Sequence, residues 1–240
     1  MKRIALMVLR LFYAAPFWFY KICKYGKDDH FQKYSREERY RLLQQMTCRA
    51  TKAGRIDIVS SGLENIPKED GFVVFPNHQG LFDGLVFFQT LGHPFATIMK
   101  KETKNIFLLK QIRILVGGIL IDREDIRQSM KVILEMARRV QDGENFVIFA
   151  EGTRSRNGNE LLEFKGGSFK SATKARCPIV PAALIDSYKA FDTHSIEKIT
   201  VQVHYLAPIY YEEYKDLKSQ EIASLVQSRI KEAIKENTGL

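Results

Sequence analysis

Cysteine is scarce in these 240 residues: Cys23, Cys48 and Cys177 are an odd number, widely spaced. They form no CxxC pair, so neither a disulfide framework nor a metal-ligand run is indicated. Reduced thiols in a cytosolic compartment are the expectation, with no metal and no bound cofactor. Other absences exclude chemistry more directly. No HExxH occurs, which removes the zinc-peptidase reading. Gly166-Gly167-Ser168-Phe169-Lys170 lacks the last glycine of a GxSxG elbow. Lys165-Gly166-Gly167-Ser168 has the wrong order for a Walker phosphate loop. There is no internal repeat, no low-complexity stretch and no linker that would split the body of the chain. What remains is 45% hydrophobic and 27% charged, the balance of a packed globular protein rather than a disordered, collagenous or coiled-coil one.

Acidic residues are also missing from the first 27 positions. Lys2, Arg3, Arg10, Lys21, Lys24 and Lys27 stand there alone, so six of the nine excess positive charges sit at the amino end. The other 213 residues carry only +3. A nucleic-acid binder spreads its charge over a groove-facing surface and shows a module, and none is visible, so no nucleic-acid partner is expected.

Between these charges, residues 4–20 are mostly apolar and aromatic, interrupted by Arg10 and Pro16. A spanning helix needs about 20 apolar residues with few charges, which this run does not supply. A signal peptide is disfavoured because Arg10 breaks the apolar region. The favoured reading is an interfacial anchor: Arg3, Arg10, Phe17, Trp18 and Phe19 contact an anionic membrane surface, rings at the headgroup boundary and cations toward the lipid charge. Core packing of the segment is the remaining alternative. Ser35 to Glu38 reads as a capping box, with Leu43, Met46, Thr47 and Ala50 along one helical face and Gly54 as a stop. Residues 1–54 are therefore expected to be a helical hairpin that docks on a membrane.

From Arg55 onward, strand and helix patterns alternate. Strand-like runs fall at 56–60, 72–75, 95–99, 119–121, 145–150, 179–185 and 199–205. Helical spacing falls at 81–91, 107–115, 126–140 and 221–234. The alternation predicts an α/β domain over 55–240, with a mixed, largely parallel sheet flanked by helices. Ligands gather at the carboxyl ends of such strands. Two sets of reactive residues stand there. The first is Asn77-His78 with Asp83 five residues on. Five residues of helix turn by about 500°, so the two side chains meet only if His78 lies in the turn and Asp83 opens the helix. A carboxylate on one ring nitrogen would fix the tautomer and leave the other as a general base. A capping histidine beside an unrelated aspartate is the plain alternative. The second set is Glu151-Gly152-Thr153-Arg154-Ser155, whose planar arginine and hydroxyls suit a phosphate, or simply form a polar turn with a surface ion pair.

Taken together, Asn77-His78-x4-Asp83 and Phe149-Ala150-Glu151-Gly152-Thr153-Arg154-Ser155 resemble the glycerolipid acyltransferase family, and within it the bacterial lysophosphatidic acid acyltransferases. Two weaker blocks lie in order: Lys100-Lys101-Glu102 leading to Gly117-Gly118-Ile119-Leu120-Ile121-Asp122-Arg123, and Pro178-Ile179-Val180-Pro181-Ala182. The likeness spans roughly residues 55–210. One position departs: many members carry serine where this chain has Gly80. The resemblance implies acyl transfer from an acyl carrier protein or coenzyme A thioester to the 2-hydroxyl of lysophosphatidic acid. His78 would be the base and Asp83 its partner. Glu151, Gly152, Thr153, Arg154, Arg123 and Lys100 or Lys101 would hold the phosphate-bearing acceptor. It further implies a peripheral protein on the cytoplasmic face of the membrane. Another lysophospholipid or glycerol phosphate as acceptor, or a membrane-surface binding protein without turnover, are the rival expectations.

Overall fold

A computed structural model describes residues 2–27, 33–106 and 108–239. The helical opening contains three helices rather than two. α1 (Lys2–Leu11) and α2 (Ala15–Tyr25) are bent by 95° across a three-residue break. Pro16 explains the break: lacking an N–H, it suits the first turn of a helix and cannot continue one from behind. Among the described residues no single helix is long and apolar enough to cross a membrane. α3 (Arg36–Ala53) begins at the expected capping box, with Ser35 Oγ accepting from the Glu38 N–H at 3.2 Å and Glu38 Oε2 accepting from the Ser35 N–H at 2.8 Å.

The body holds β1 (Ile56–Ser61), β2 (Val73–Pro76), α4 (Asp83–Thr90), β3 (Phe95–Lys100), α5 (Leu109–Leu115), β4 (Ile119–Ile121), α6 (Ile126–Gln141) and β5 (Asn145–Val147). After these come α7 (Lys170–Ala175), β6 (Ile179–Ile185), β7 (Ile199–Tyr205), α8 (Tyr211–Tyr214) and α9 (Ser219–Thr238). The seven strands form one sheet in the order β1-β7-β6-β2-β5-β3-β4. All neighbours are parallel except β6 and β7, so β7 and β1 run against the other five. The helical pattern at 107–115 begins on Phe107, outside the described residues; α5 starts at Leu109. β5 is shorter than the apolar run 145–150, because the chain turns after Ile148 and the Gly152 N–H bonds back to the Phe149 carbonyl at 3.1 Å.

Two cores follow from strand alternation, since successive side chains point to opposite faces. Phe72, Val74, Val180, Ala182 and Leu184 pack on one face with Leu43, Phe87 and Phe95. Val73, Phe75, Ile179, Ala183 and Ile185 pack on the other with residues of α6, α7 and α9. Both faces of β2 and β6 are buried, which is why these strands read as continuous apolar runs. Met7, Trp18 and Ile22 belong to the first of these cores, so α1 and α2 are packed onto the body.

Arg3 and Trp18, expected at a membrane, instead face inward. Arg3 is fully buried and donates to the Gly54 carbonyl at 2.6 Å and the Ser195 carbonyl at 3.2 Å. Orphan carbonyls at the end of α3 are what its guanidinium satisfies. Trp18 is buried against the core, where its size is best used. Arg10 remains exposed while donating to the Ala53 carbonyl at 3.0 Å, and Phe17 and Phe19 stay exposed.

Candidate active site

β2 and β5 are adjacent and parallel, so the loops that leave them emerge at the same end of the sheet. The chain from Asn77 to Phe82 leaves one, and the chain from Phe149 to Ser155 leaves the other. The spacing condition on His78 and Asp83 is met. His78 lies in the loop, Asp83 opens α4, and His78 Nδ1 sits 2.7 Å from Asp83 Oδ2. An ionised carboxylate only accepts, so Nδ1 carries the hydrogen and Nε2 keeps its lone pair. The imidazole is 23% exposed while Asp83 is fully buried.

Asp83 is held by more than the histidine. Its Oδ2 accepts from the Gln79 N–H at 2.6 Å and the Gly80 N–H at 3.0 Å, and its Oδ1 accepts from Ser187 Oγ at 2.5 Å. These charge-assisted bonds compensate the cost of burying a carboxylate. Ser187 lies just past the end of β6, more than a hundred residues from Asp83. Asn77 and Gln79 fasten the same loop to β6. Asn77 Nδ2 donates to the Leu184 carbonyl at 3.0 Å and its Oδ1 accepts from the Leu184 N–H at 2.7 Å. Gln79 Nε2 donates to the Leu184 carbonyl at 2.9 Å and to Asn159 Oδ1 at 2.8 Å.

The second loop grips the first. Phe149 stacks on the His78 ring, with centroids 4.1 Å apart. The Ser155 N–H donates to the His78 carbonyl at 2.8 Å. Glu151, expected at the substrate, is turned inward. It is 1% exposed, and its carboxylate accepts from the His78 N–H at 2.7 Å and the Leu162 N–H at 3.0 Å. Two backbone N–H groups claim both of its oxygens, so it positions the histidine loop rather than reaching outward. Burial pushes its carboxyl up to about 7, against the pull of those two N–H groups.

The remaining basic and polar residues frame the opening. Arg154 is 27% exposed, and its Nη1 lies 3.9 Å from Asp192 Oδ1. Gly152 has φ +76°, a backbone suited to glycine, and its carbonyl accepts from Arg123 Nη1. Thr153 and Lys100 are exposed. Lys101 is paired with Asp122 at 2.5 Å; that hydrogen bond first of all raises the lysine and lowers the aspartate, keeping both charged. Among the described residues no group of three or more His, Cys, Asp or Glu side chains is placed to hold a metal ion. A cavity of about 80 Å³, lined among others by Tyr40, Leu43, Phe95 and Asn145, opens at the amino ends of β3 and β5 and touches none of this machinery.

A histidine–aspartate pair thus stands beside an arginine-bearing turn at the carboxyl ends of two adjacent parallel strands. A family model described as acyltransferase matches residues 57–185, more than half of the chain. The chain belongs to the acyltransferase family. A 1-acyl-sn-glycerol-3-phosphate acyltransferase of Borreliella burgdorferi is 28% identical over 177 residues, covering 73% of this chain and 70% of that protein. The enzyme of the same description from Escherichia coli is 29% identical over 165 residues, covering 68% and 67%. In fold, the chain is similar to the crystal structure of the 1-acyl-sn-glycerophosphate acyltransferase of Thermotoga maritima. The TM-score is 0.78 at 24% identity, over 99% of this chain and 97% of that one. This acyltransferase is thus built as a mixed, mostly parallel seven-stranded sheet flanked by helices. Sequence reasoning missed Ser187 and the positioning role of Glu151. A lone serine after a strand carries no signal. The inward turn of Glu151 follows from burial, which the motif does not encode.

Proposed function

We propose that this acyltransferase moves an acyl group from a thioester to the 2-hydroxyl of lysophosphatidic acid, with His78 as general base. The observation that carries the reading is His78 Nδ1 at 2.7 Å from the buried Asp83 carboxylate, which leaves Nε2 as the partly exposed proton acceptor. Nε2 takes the hydroxyl proton as the oxygen attacks the thioester carbonyl. The C–O bond forms, the C–S bond breaks, and the proton passes to the departing thiolate. Asp83 stabilises the imidazolium in between. Help of this kind is worth about 10²–10⁴ in rate. Arg154 receives the acceptor's phosphate, with Arg123, Gly152 and Thr153 on the same rim, and so orients the hydroxyl toward His78. The relatives' names, which all specify this acceptor, support the choice.

The thioester is that of acyl carrier protein or coenzyme A. The place of action is the cytoplasmic face of a membrane, which suits three free cysteines. Arg3 bonds to Gly54 and Ser195, just before β1 and β7 begin. Because β7 runs against β6, that is the end of the sheet where His78 lies. α1, the break after it and α2 expose Val8, Leu9, Phe12, Tyr13, Phe17 and Tyr20, and with α1 anchored at this end a lipid acceptor can enter from the bilayer.

The test is product formation by the purified protein in liposomes, with lysophosphatidic acid and each thioester in turn. Phosphatidic acid formed by the wild type and reduced at least about 100-fold in His78→Ala is the expected result. Full activity in that variant would end the general-base assignment, and no product with either donor would end the choice of acceptor.

A further inference from the structure

Arg154 has a resident partner that the motifs do not suggest. Asp192 lies beyond β6, its N–H bonded to the Tyr188 carbonyl at 3.0 Å, and its Oδ1 is 3.9 Å from Arg154 Nη1. The same carboxylate leans over the turn between His78 and Asp83. A Cβ built on Gly80 would meet Asp192 Oδ2 at 2.6 Å and the Tyr188 Cα at 3.4 Å. The Gly80 backbone is not in the left-handed region, so glycine supplies room there rather than conformation. A side chain at residue 80 would push the carboxylate away, which gives the absence of serine at this position a physical consequence.

We propose that Asp192 is a counter-ion for Arg154 that the acceptor's phosphate displaces, and that it thereby sets how tightly phosphate-bearing acceptor and product are held. The proposal rests on the reading of Arg154 as the phosphate group's partner. Both side chains are partly open to water, 27% for Arg154 and 41% for Asp192, so their pair is weak and readily exchanged for a phosphate. The displaced carboxylate stays tethered at the rim, where it repels the incoming dianion. Acceptor and product carry the same phosphate monoester, so the repulsion weakens both. It opposes retention of the product at the cost of a higher acceptor KM, and acts on binding rather than on the acyl-transfer step.

The experiment is steady-state kinetics in mixed micelles with lysophosphatidic acid varied and phosphatidic acid as product inhibitor. The variants are Asp192→Asn, Arg154→Ala, Gly80→Ala and the Gly80→Ala/Asp192→Asn double. Asparagine keeps the shape and removes the charge. Asp192→Asn should lower the acceptor KM and the product inhibition constant together by about threefold, a difference that shrinks as salt screens the charges. Gly80→Ala should lower KM in the wild type and add nothing in the Asp192→Asn background. Arg154→Ala should raise KM. If Arg154→Ala raises KM while Asp192→Asn leaves it unchanged or higher, the counter-ion role is wrong and the phosphate reading stands. If Arg154→Ala leaves KM unchanged, the phosphate reading fails and this proposal with it.

Discussion

Replacing Glu151 by glutamine should remove a pH dependence from the stability of this protein. The carboxyl stands at about 7 in the folded state against an ordinary 4.5, chiefly because burial penalises its charge. The folded value is the higher one, so between those two values the folded protein holds a proton that the unfolded chain has lost. The stabilising contribution is complete below about 4.5 and is lost as pH rises through about 7. At about 1.36 kcal/mol per pKa unit, the loss amounts to about 3 kcal/mol by pH 8. Glutamine cannot titrate. Its NH2 stands where the carboxyl, protonated or not, has an oxygen that can still accept, so either the His78 or the Leu162 N–H loses its partner. That costs about 1–3 kcal/mol, the same at every pH. The assay is urea unfolding in detergent, followed by circular dichroism at about pH 5, 6, 7 and 8. The difference between wild type and Glu151→Gln should narrow with rising pH, because only the wild type loses stability to this group. Parallel curves across the window would refute the reasoning. They would mean that the two backbone donors already offset the burial of the charge.

Three further expectations follow from the same structure. Ser187→Ala removes the 2.5 Å donor to Asp83 Oδ1 and leaves the aspartate three others. About 1–2 kcal/mol of stability should go with it, and kcat should fall about tenfold with acceptor KM little changed; a KM effect alone would place Ser187 elsewhere in the cycle. Phe17→Ser together with Phe19→Ser should weaken sedimentation with anionic vesicles by tenfold or more while the melting temperature holds, because both rings are exposed in the folded protein. Trp18→Ala, by contrast, should lower the melting temperature, since its ring is in the core; unaltered vesicle binding by the double variant would remove α2 from the docking surface.

The strands were legible in the chain because those buried on both faces read as unbroken apolar runs, while β1 at the edge and β7 beside it alternate in exposure. The order of those strands was not, and neither was the reversal of β7 and β1, since pairing depends on contacts far apart in sequence. α7 and α8 are too short to show a helical period. At the amino end, composition marked an aromatic and basic segment but not its inner side. Arg3 and Arg10 look alike in a list of charges; one is fully buried on the Gly54 carbonyl and the other is exposed.

For the site, spacing alone determined that His78 could meet Asp83 only across a turn into a helix, and it was the family resemblance carried by the ordered motifs that implied acyl transfer. Tertiary structure decided the rest. It put β5 beside β2, so that Phe149 and Ser155 close on His78. It turned Glu151 inward to hold the histidine loop, brought Ser187 to Asp83, and set Asp192 against Arg154 over the space that Gly80 leaves open. The division has a physical cause. A local motif fixes which groups can exchange a proton or meet a phosphate. Which oxygens face inward, and which charges face each other, is set by burial and by partners a hundred residues away.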